Sequence, residues 1–242
     1  IPDERRYSEK WFYQCIQSRY GFNPHHAQLA DGIEVFIGQG QKVGMGGHLM
    51  GQKVTDQVAE MRSLPSGIDQ RSPARHPDWL GPDDLALKVE ELRELTDNQV
   101  PIQLKLGAAK VYDDVRMAAK CNPDSIYLDC MEGSTGAGPH IAAANTGIPG
   151  IAAVREARRA LDDVGQSGKV CAGAVLIWRE RERLAITALL DPPGQFSRVN
   201  CQSPYGNAGY SAGLTGQLAC REYLNRNGSM TTDRKRQTEG PD

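Results

Sequence analysis

The chain has 242 residues, 39% hydrophobic and 24% charged, with a formal net charge of −2. That length allows one large domain or two small ones; the balanced charge gives no reason to expect nucleic acid, and no apolar stretch is long enough to cross a bilayer. Six cysteines, at 15, 121, 130, 171, 201 and 220, are too sparse for a disulfide scaffold and form no Cys-x-x-Cys pair, so a cytoplasmic protein without a zinc or redox motif is expected.

In chain order, residues 1–20 carry Trp11, Phe12, Cys15 and Ile16 at spacings that predict a short amphipathic helix, ended by Gly21-Phe-Asn-Pro24. The pair His25-His26 has no acidic or cysteine partner at ligand spacing, which argues against a metal there. An apolar run, Ile33 to Ile37, then leads into Gly38-Gln-Gly-Gln-Lys-Val-Gly-Met-Gly-Gly-His-Leu-Met-Gly51. So glycine-dense a stretch forms neither helix nor central strand. It can bring backbone N–H groups around an anion, with Lys42 and His48 projecting from the same loop. Its spacing is neither that of a Walker loop nor of the dinucleotide fingerprint, and a ligand-free surface turn is the plain alternative.

Thr55 is placed to cap a short helix through Val58, Ala59 and Met61, with Pro65-Ser-Gly67 ending it. Arg62 in its last turn reads either as a surface arginine at a helix C-terminus or as a guanidinium fork for a carboxylate. Ser72-Pro-Ala-Arg-His-Pro-Asp-Trp79 is irregular because of its two prolines, and it delivers Arg75, His76 and Asp78 together.

From Gly81 the pattern becomes regular. Pro82 suits a first helical position, Asp83 and Asp84 suit the positive end of the helix dipole, and Leu85, Val89, Leu92 and Leu95 form an apolar face. A strand over 100–106 follows, then a helix lined by Val111, Val115, Ala118 and Ala119, and a strand over 125–130 leading into Gly133-Ser-Thr-Gly-Ala-Gly138. Helical patterns over 140–145 and 151–164 precede a short strand over 169–175. Alternating helices and strands predict an α/β fold around a parallel sheet, whose loops and side chains meet at the C-terminal ends of the strands. Lys105, inside an otherwise apolar strand, must reach solvent at the strand end or meet an anion.

Four stretches taken together resemble the FMN-binding central domain of glutamate synthase. They are Gly38 through Gln-Lys-Val-Thr55, the Pro-Ser-Gly-Ile-Asp of 65–69, Ser72 to Asp78, and Asp129-Cys-Met-Glu-Gly-Ser-Thr-Gly-Ala-Gly138. The likeness runs from about Gly21 to about Val170 and is similar to the shorter glutamate synthase-like proteins, which include a subunit of methylamine-glutamate N-methyltransferase. It implies a (β/α)8 TIM-type barrel holding FMN, in which the reduced flavin gives a hydride to 2-iminoglutarate, formed from 2-oxoglutarate and ammonia, to make L-glutamate. On matching positions it implies that Lys42, His48 and Arg62 bind the small dicarboxylate, that Lys105 touches the flavin, and that Gly133, Thr135 and Gly136 lie in the flavin-facing loop. Amidotransferase and reductase partners, or a complementing subunit, are implied as well.

After Val170 the family's glycine-rich segments for the FMN phosphate are not reproduced; the chain reads Cys171-Ala-Gly-Ala-Val-Leu-Ile-Trp178 and then alternating arginine and glutamate. The expectation is therefore a partial, incomplete barrel over 21–178, a divergent segment over 179–242 with a disordered tail, and weak or lost FMN binding. The cysteines do not reproduce the family's closely spaced triplet, so no iron-sulfur cluster is predicted. Two classes stay open: a flavin-dependent enzyme or enzyme subunit, and a catalytically silent half-barrel that binds a partner.

Overall fold

A computed structural model describes residues 10–17, 23–42, 47–131, 138–166, 171–176 and 198–201, the last two stretches as backbone. The main sheet is parallel throughout and has six strands, in the order β1 (Phe12–Cys15), β2 (Gly32–Phe36), β5 (Ile102–Gly107), β6 (Ser125–Asp129), β7 (Cys171–Leu176) and β8 (Arg198–Cys201). Two short antiparallel strands, β3 (His48–Leu49) and β4 (Gln70–Arg71), form a separate pair on the excursion between β2 and β5. Among the described residues the sheet does not close on itself, and the architecture is a partial (β/α)8-type barrel.

The helices are α1 (Pro24–Leu29), α2 (Asp56–Arg62), α3 (Pro82–Leu95), α4 (Val111–Lys120), α5 (His140–Asn145) and α6 (Gly150–Asp163). Their starts follow from local chemistry. The Asn23 side chain accepts the N–H of His25, the Thr55 hydroxyl accepts that of Val58, and Pro82 occupies the first turn of α3 where a missing N–H costs nothing. The apolar stripe of α3 and the one on α4 are buried where expected, at Leu85, Val89, Leu92, Val111 and Val115. α4 and α6 pack on each other, and Ala153, Ala157 and Ala160 of α6 are fully buried, their small side chains allowing close approach. Among the described residues no helix is long and apolar enough to cross a membrane.

Residues 12–15 form a strand, which corrects the helix expected within 1–20. Trp11, Phe12, Cys15 and Ile16 fit a helical spacing, but pairing with β2 decides: Tyr13 and Cys15 alternate inward while Gln14 turns the other way, the period of a strand. The link is local as well. The Asp31 carboxylate accepts the Trp11 N–H at 2.9 Å, and the Asp31 N–H donates to the Trp11 carbonyl at 2.8 Å. The barrel unit therefore takes in strand β1 ahead of position 21. At the other boundary, β8 falls inside the segment expected to be divergent, and the tail from 202 onward lies outside the described residues.

Alternation gives the sheet two unlike faces. Ile33, Val35, Ile102, Leu104, Ile126 and Leu128 form the apolar one, each at 1% exposure or less. The opposite face carries polar groups at matched registers: Gln14, Glu34, Gln103 and Ser125 in one row, and Phe36, Lys105 and Tyr127 in the next. Glu34 is 2% exposed and satisfied by two amides, with Gln14 Nε2 donating to Oε1 at 2.6 Å and Gln103 Nε2 to Oε2 at 2.7 Å. Ser125 Oγ donates in turn to Gln103 Oε1 at 3.2 Å. A buried carboxylate without such donors would cost several kcal/mol, about 1–3 kcal/mol or more per unsatisfied group.

Candidate functional site

The loops at the C-terminal ends of β2, β5 and β6 lock together through their backbones. The Ile37 N–H donates to the Lys105 carbonyl at 2.9 Å, Ala108 N–H to the Asp129 carbonyl at 2.8 Å, Ile148 N–H to the Ala108 carbonyl at 3.2 Å, and Met131 N–H to the Ile148 carbonyl at 3.1 Å. The approach is close enough to require glycine at 40, 107 and 147, the last with φ 82° and a Cβ that would lie 2.7 Å from the Gly40 carbonyl oxygen. A Cβ on Gly40 would lie 2.2 Å from the Cys130 carbonyl oxygen, and one on Gly107 would lie 2.7 Å from that of Gln39.

Lys105 and Asp129 stand at this rim. Lys105 Nζ lies 3.0 Å from Asp129 Oδ2, and both side chains are almost wholly buried. The ammonium is also 5.2 Å from the centre of the Phe36 ring and 5.5 Å from that of Tyr127, within cation–π range of both. Asp129 Oδ1 accepts the Gly40 N–H at 3.3 Å. Burial pushes the Asp129 carboxyl above the ordinary carboxylate range; Lys105 and the Gly40 N–H pull it down, and the Glu34 carboxylate adds a smaller upward push. An ammonium has three donors, so the bond to Asp129 leaves Lys105 capable of holding a ligand atom too.

The dicarboxylate candidates all lie on the excursion that leaves β2 and returns before α3. Lys42 is half-buried and follows Gly40 by two residues, its own N–H donating to the Gln39 carbonyl at 3.5 Å. His48 opens β3 opposite Arg71, with Nε2 3.8 Å from Asp69 Oδ2. That pair is about half exposed, and such a contact contributes little. Asp69 has a second task, accepting the Gly51 N–H at 2.6 Å, which fastens the turn after β3 to β4. Arg62 is half-buried in the last turn of α2, just before Ser63 ends the helix in a left-handed conformation, φ 52°. Gly133, Thr135 and Gly136 lie outside the described residues.

Two features bear on the sequence reading of the loop and of Lys105. The glycine-rich loop, read as able to bring N–H groups around an anion or as a ligand-free turn, gives its Gly40 N–H to the Asp129 carboxylate, and that glycine is needed for the close approach to Cys130. Lys105, read as reaching solvent at the strand end or meeting an anion, meets an anion of the protein itself, the Asp129 carboxylate. Sequence reasoning missed Asp129 as a functional group; the available signal was a carboxylate closing an otherwise apolar strand.

The irregular 72–79 segment is a brace. His76 is 4% exposed, stacks on Trp79 at 3.8 Å between ring centres, and its Nε2–H donates to the Phe36 carbonyl at 2.6 Å. Because a carbonyl can only accept, the proton must reside on Nε2. Asp78 is 3.5 Å from the buried Lys88 ammonium of α3, which ties the same segment to the helix behind it. Among the described residues no group of three or more His, Cys, Asp or Glu is arranged to hold a metal ion.

The conserved region in glutamate synthase matches residues 1–174 of this chain. Over 168 residues the chain is 51% identical to the glutamate synthase large subunit-like protein of Rhizobium meliloti, covering 69% of this chain and 38% of that one. It is 35% identical over 173 residues to the archaeal glutamate synthase [NADPH] of Archaeoglobus fulgidus, covering 70% and 34%. The chain thus spans little more than a third of the length of these relatives. A mutant flavocytochrome b2 with benzoylformate shares the fold, at a TM-score of 0.50 and 17% identity, over 93% of this chain and 51% of that one.

Proposed function

The chain belongs to the glutamate synthase family, and from that premise we propose that its rim is the substrate- and flavin-facing part of a glutamate-forming site. Lys42 and Arg62 take the two carboxylates of 2-oxoglutarate and its imine, the guanidinium as a planar fork and the ammonium as a point charge. His48 adds a hydrogen bond. Lys105 faces the flavin, together with the 133–138 loop. The observation that carries this reading is the Lys105–Asp129 pair, a lysine held at the C-terminal end of a parallel strand on the polar face of the sheet.

FMN suits the ring end of this arrangement, where Lys105 retains donors for a negatively polarised group. Bound there, it would supply the hydride. The chain's own groups bind and orient the dicarboxylate, and the interlocked loops exclude water beneath it. FMN is held weakly by this chain, because the stretch after Cys171 does not reproduce the family's phosphate-binding glycines, and a lysine at the ring end cannot replace a nest of N–H groups at the phosphate. For the same reason glutamate synthesis requires a complementing polypeptide. Methylamine in place of ammonia is the companion reading for the amine, as in the methylamine-glutamate N-methyltransferase subunit.

The test is a pair of titrations on the purified chain. Calorimetry with 2-oxoglutarate should show binding that Arg62→Lys weakens about tenfold, since a point charge does not reproduce a bidentate contact. Equal affinity of the two proteins removes Arg62 from the site. Flavin fluorescence should report weak FMN binding. A yellow protein with tightly held, stoichiometric FMN would overturn the weak-binding part.

A further inference from the structure

We propose that Asp129 is a positioning residue that joins the two halves of the site, its one carboxylate fixing both Lys105 and the loop that carries Lys42. The inference rests on the reading of Lys42 and Lys105 given above, but its geometry stands without any ligand. Oδ2 takes the Lys105 ammonium at 3.0 Å and Oδ1 takes the Gly40 N–H at 3.3 Å. The carboxylate closes β6, is 3% exposed, and rests against backbone already locked by the Ala108 N–H bond to its own carbonyl. It therefore cannot swing toward one partner without leaving the other.

The flanking groups exclude simpler arrangements. Glu34, the other carboxylate on this face among the described residues, sits one layer further down, with each oxygen accepting an amide N–H, from Gln14 and Gln103, that offsets part of its charge. The Phe36 and Tyr127 rings on either side of the ammonium supply π-faces and no full counter-charge. Asp129 is thus the anion that directs Lys105, and the short link from Gly40 to Lys42 transmits its hold on the loop.

Two consequences separate a joint from a local brace. Loss of Asp129 should weaken both ligands, whereas loss of either lysine should weaken one. Asp129→Asn is expected to lower affinity for FMN and for 2-oxoglutarate about tenfold each; Lys105→Met should lower only the first, and Lys42→Met only the second. Amide hydrogen exchange on the ligand-free chain gives an independent reading. The double variant Lys105→Met with Asp129→Leu leaves no buried charge unpaired and should fold even where Asp129→Asn does not. Exchange of the amides at 38–42 should accelerate tenfold or more in that double variant, relative to Lys105→Met with Asp129→Asn, which is equally uncharged but keeps an oxygen for the Gly40 N–H, while β5 and β6 keep their protection. A folded double variant with unchanged exchange at Gly40 overturns the joint. Accelerated exchange in a protein that binds neither FMN nor 2-oxoglutarate upholds the joint and refutes the functional reading instead.

Discussion

Gly40→Ala is the sharpest test of how the rim is built, because the same loop contains its own control. The new Cβ would stand 2.2 Å from the Cys130 carbonyl oxygen, 2.5 Å from its carbon and 2.7 Å from the Asp129 carbonyl oxygen, all of them backbone atoms that cannot rotate away. To reach an ordinary contact of 3.4 Å the loop must withdraw by about 1.2 Å. The Gly40 N–H bond to Asp129, already 3.3 Å long, cannot survive that displacement. Overpacking costs about 1–3 kcal/mol, and a lost bond to a charged acceptor about 1.5–3 kcal/mol. The reduced freedom of the unfolded chain returns about 0.4–1 kcal/mol, for a net loss of about 2–5 kcal/mol. In a chain of this size that lowers the melting temperature by about 5–15 °C. Gly38→Ala is the control: its Cβ would meet only the Gly107 nitrogen at 3.6 Å, an ordinary contact, so its change should stay within about 1 kcal/mol. Thermal melts followed by circular dichroism decide. Equal melting temperatures for the two variants would refute the close approach of the loop to β6.

His76→Ala should lose a buried hydrogen bond to Phe36 and a stacked ring, about 2–3 kcal/mol together, and with them the near-ultraviolet dichroism of Trp79; an unchanged Trp79 band would rule out the brace. The Tyr13 phenol is pushed up to about 12 by burial, which outweighs the Asn23 N–H it accepts and is slightly reinforced by Cys15. Since the fold favours the neutral phenol, this contribution is complete below the ordinary value of 10.0 and is lost as pH rises through 12. Absorbance titration should therefore show a phenolate appearing near pH 12 that is missing in Tyr13→Phe, and identical late titration of the parent and the variant would contradict the burial.

Most of the fold was legible wherever one local signal had no rival. Thr55 and Pro82 announced α2 and α3, and the 100–106 and 125–130 runs announced β5 and β6 within two residues at either end. β1 was not legible, because four residues flanked by Trp11 and Ile16 satisfy the helical and the strand period alike, and only pairing with Gly32 to Val35 selects one. β8 lies where nothing in the pattern suggested an element, and its definition comes from alignment beside β7. β3 and β4 have two residues each and are specified by the Asp69 bond to Gly51 instead of by propensity.

The site divides along the same line. A lysine in an apolar strand is visible in one dimension, so Lys105 could be singled out; its partner is set by register, and register is a property of two strands. Lys105 pairs with Tyr127, and Gly107, two residues on, pairs with Asp129, so the carboxylate stands one layer nearer the rim on the same face. Had Glu34 been free to compete, the ammonium could have turned downward into the sheet instead. Gln14 and Gln103 weaken that pull by donating to the two Glu34 oxygens at 2.6 and 2.7 Å, and Asp129, nearer the rim, holds the ammonium at 3.0 Å on the side of the loops. A row of neutral amides one layer down thus biases where the charge one layer up is presented. No single strand encodes that choice, since its parts come from β1, β2, β5 and β6 together.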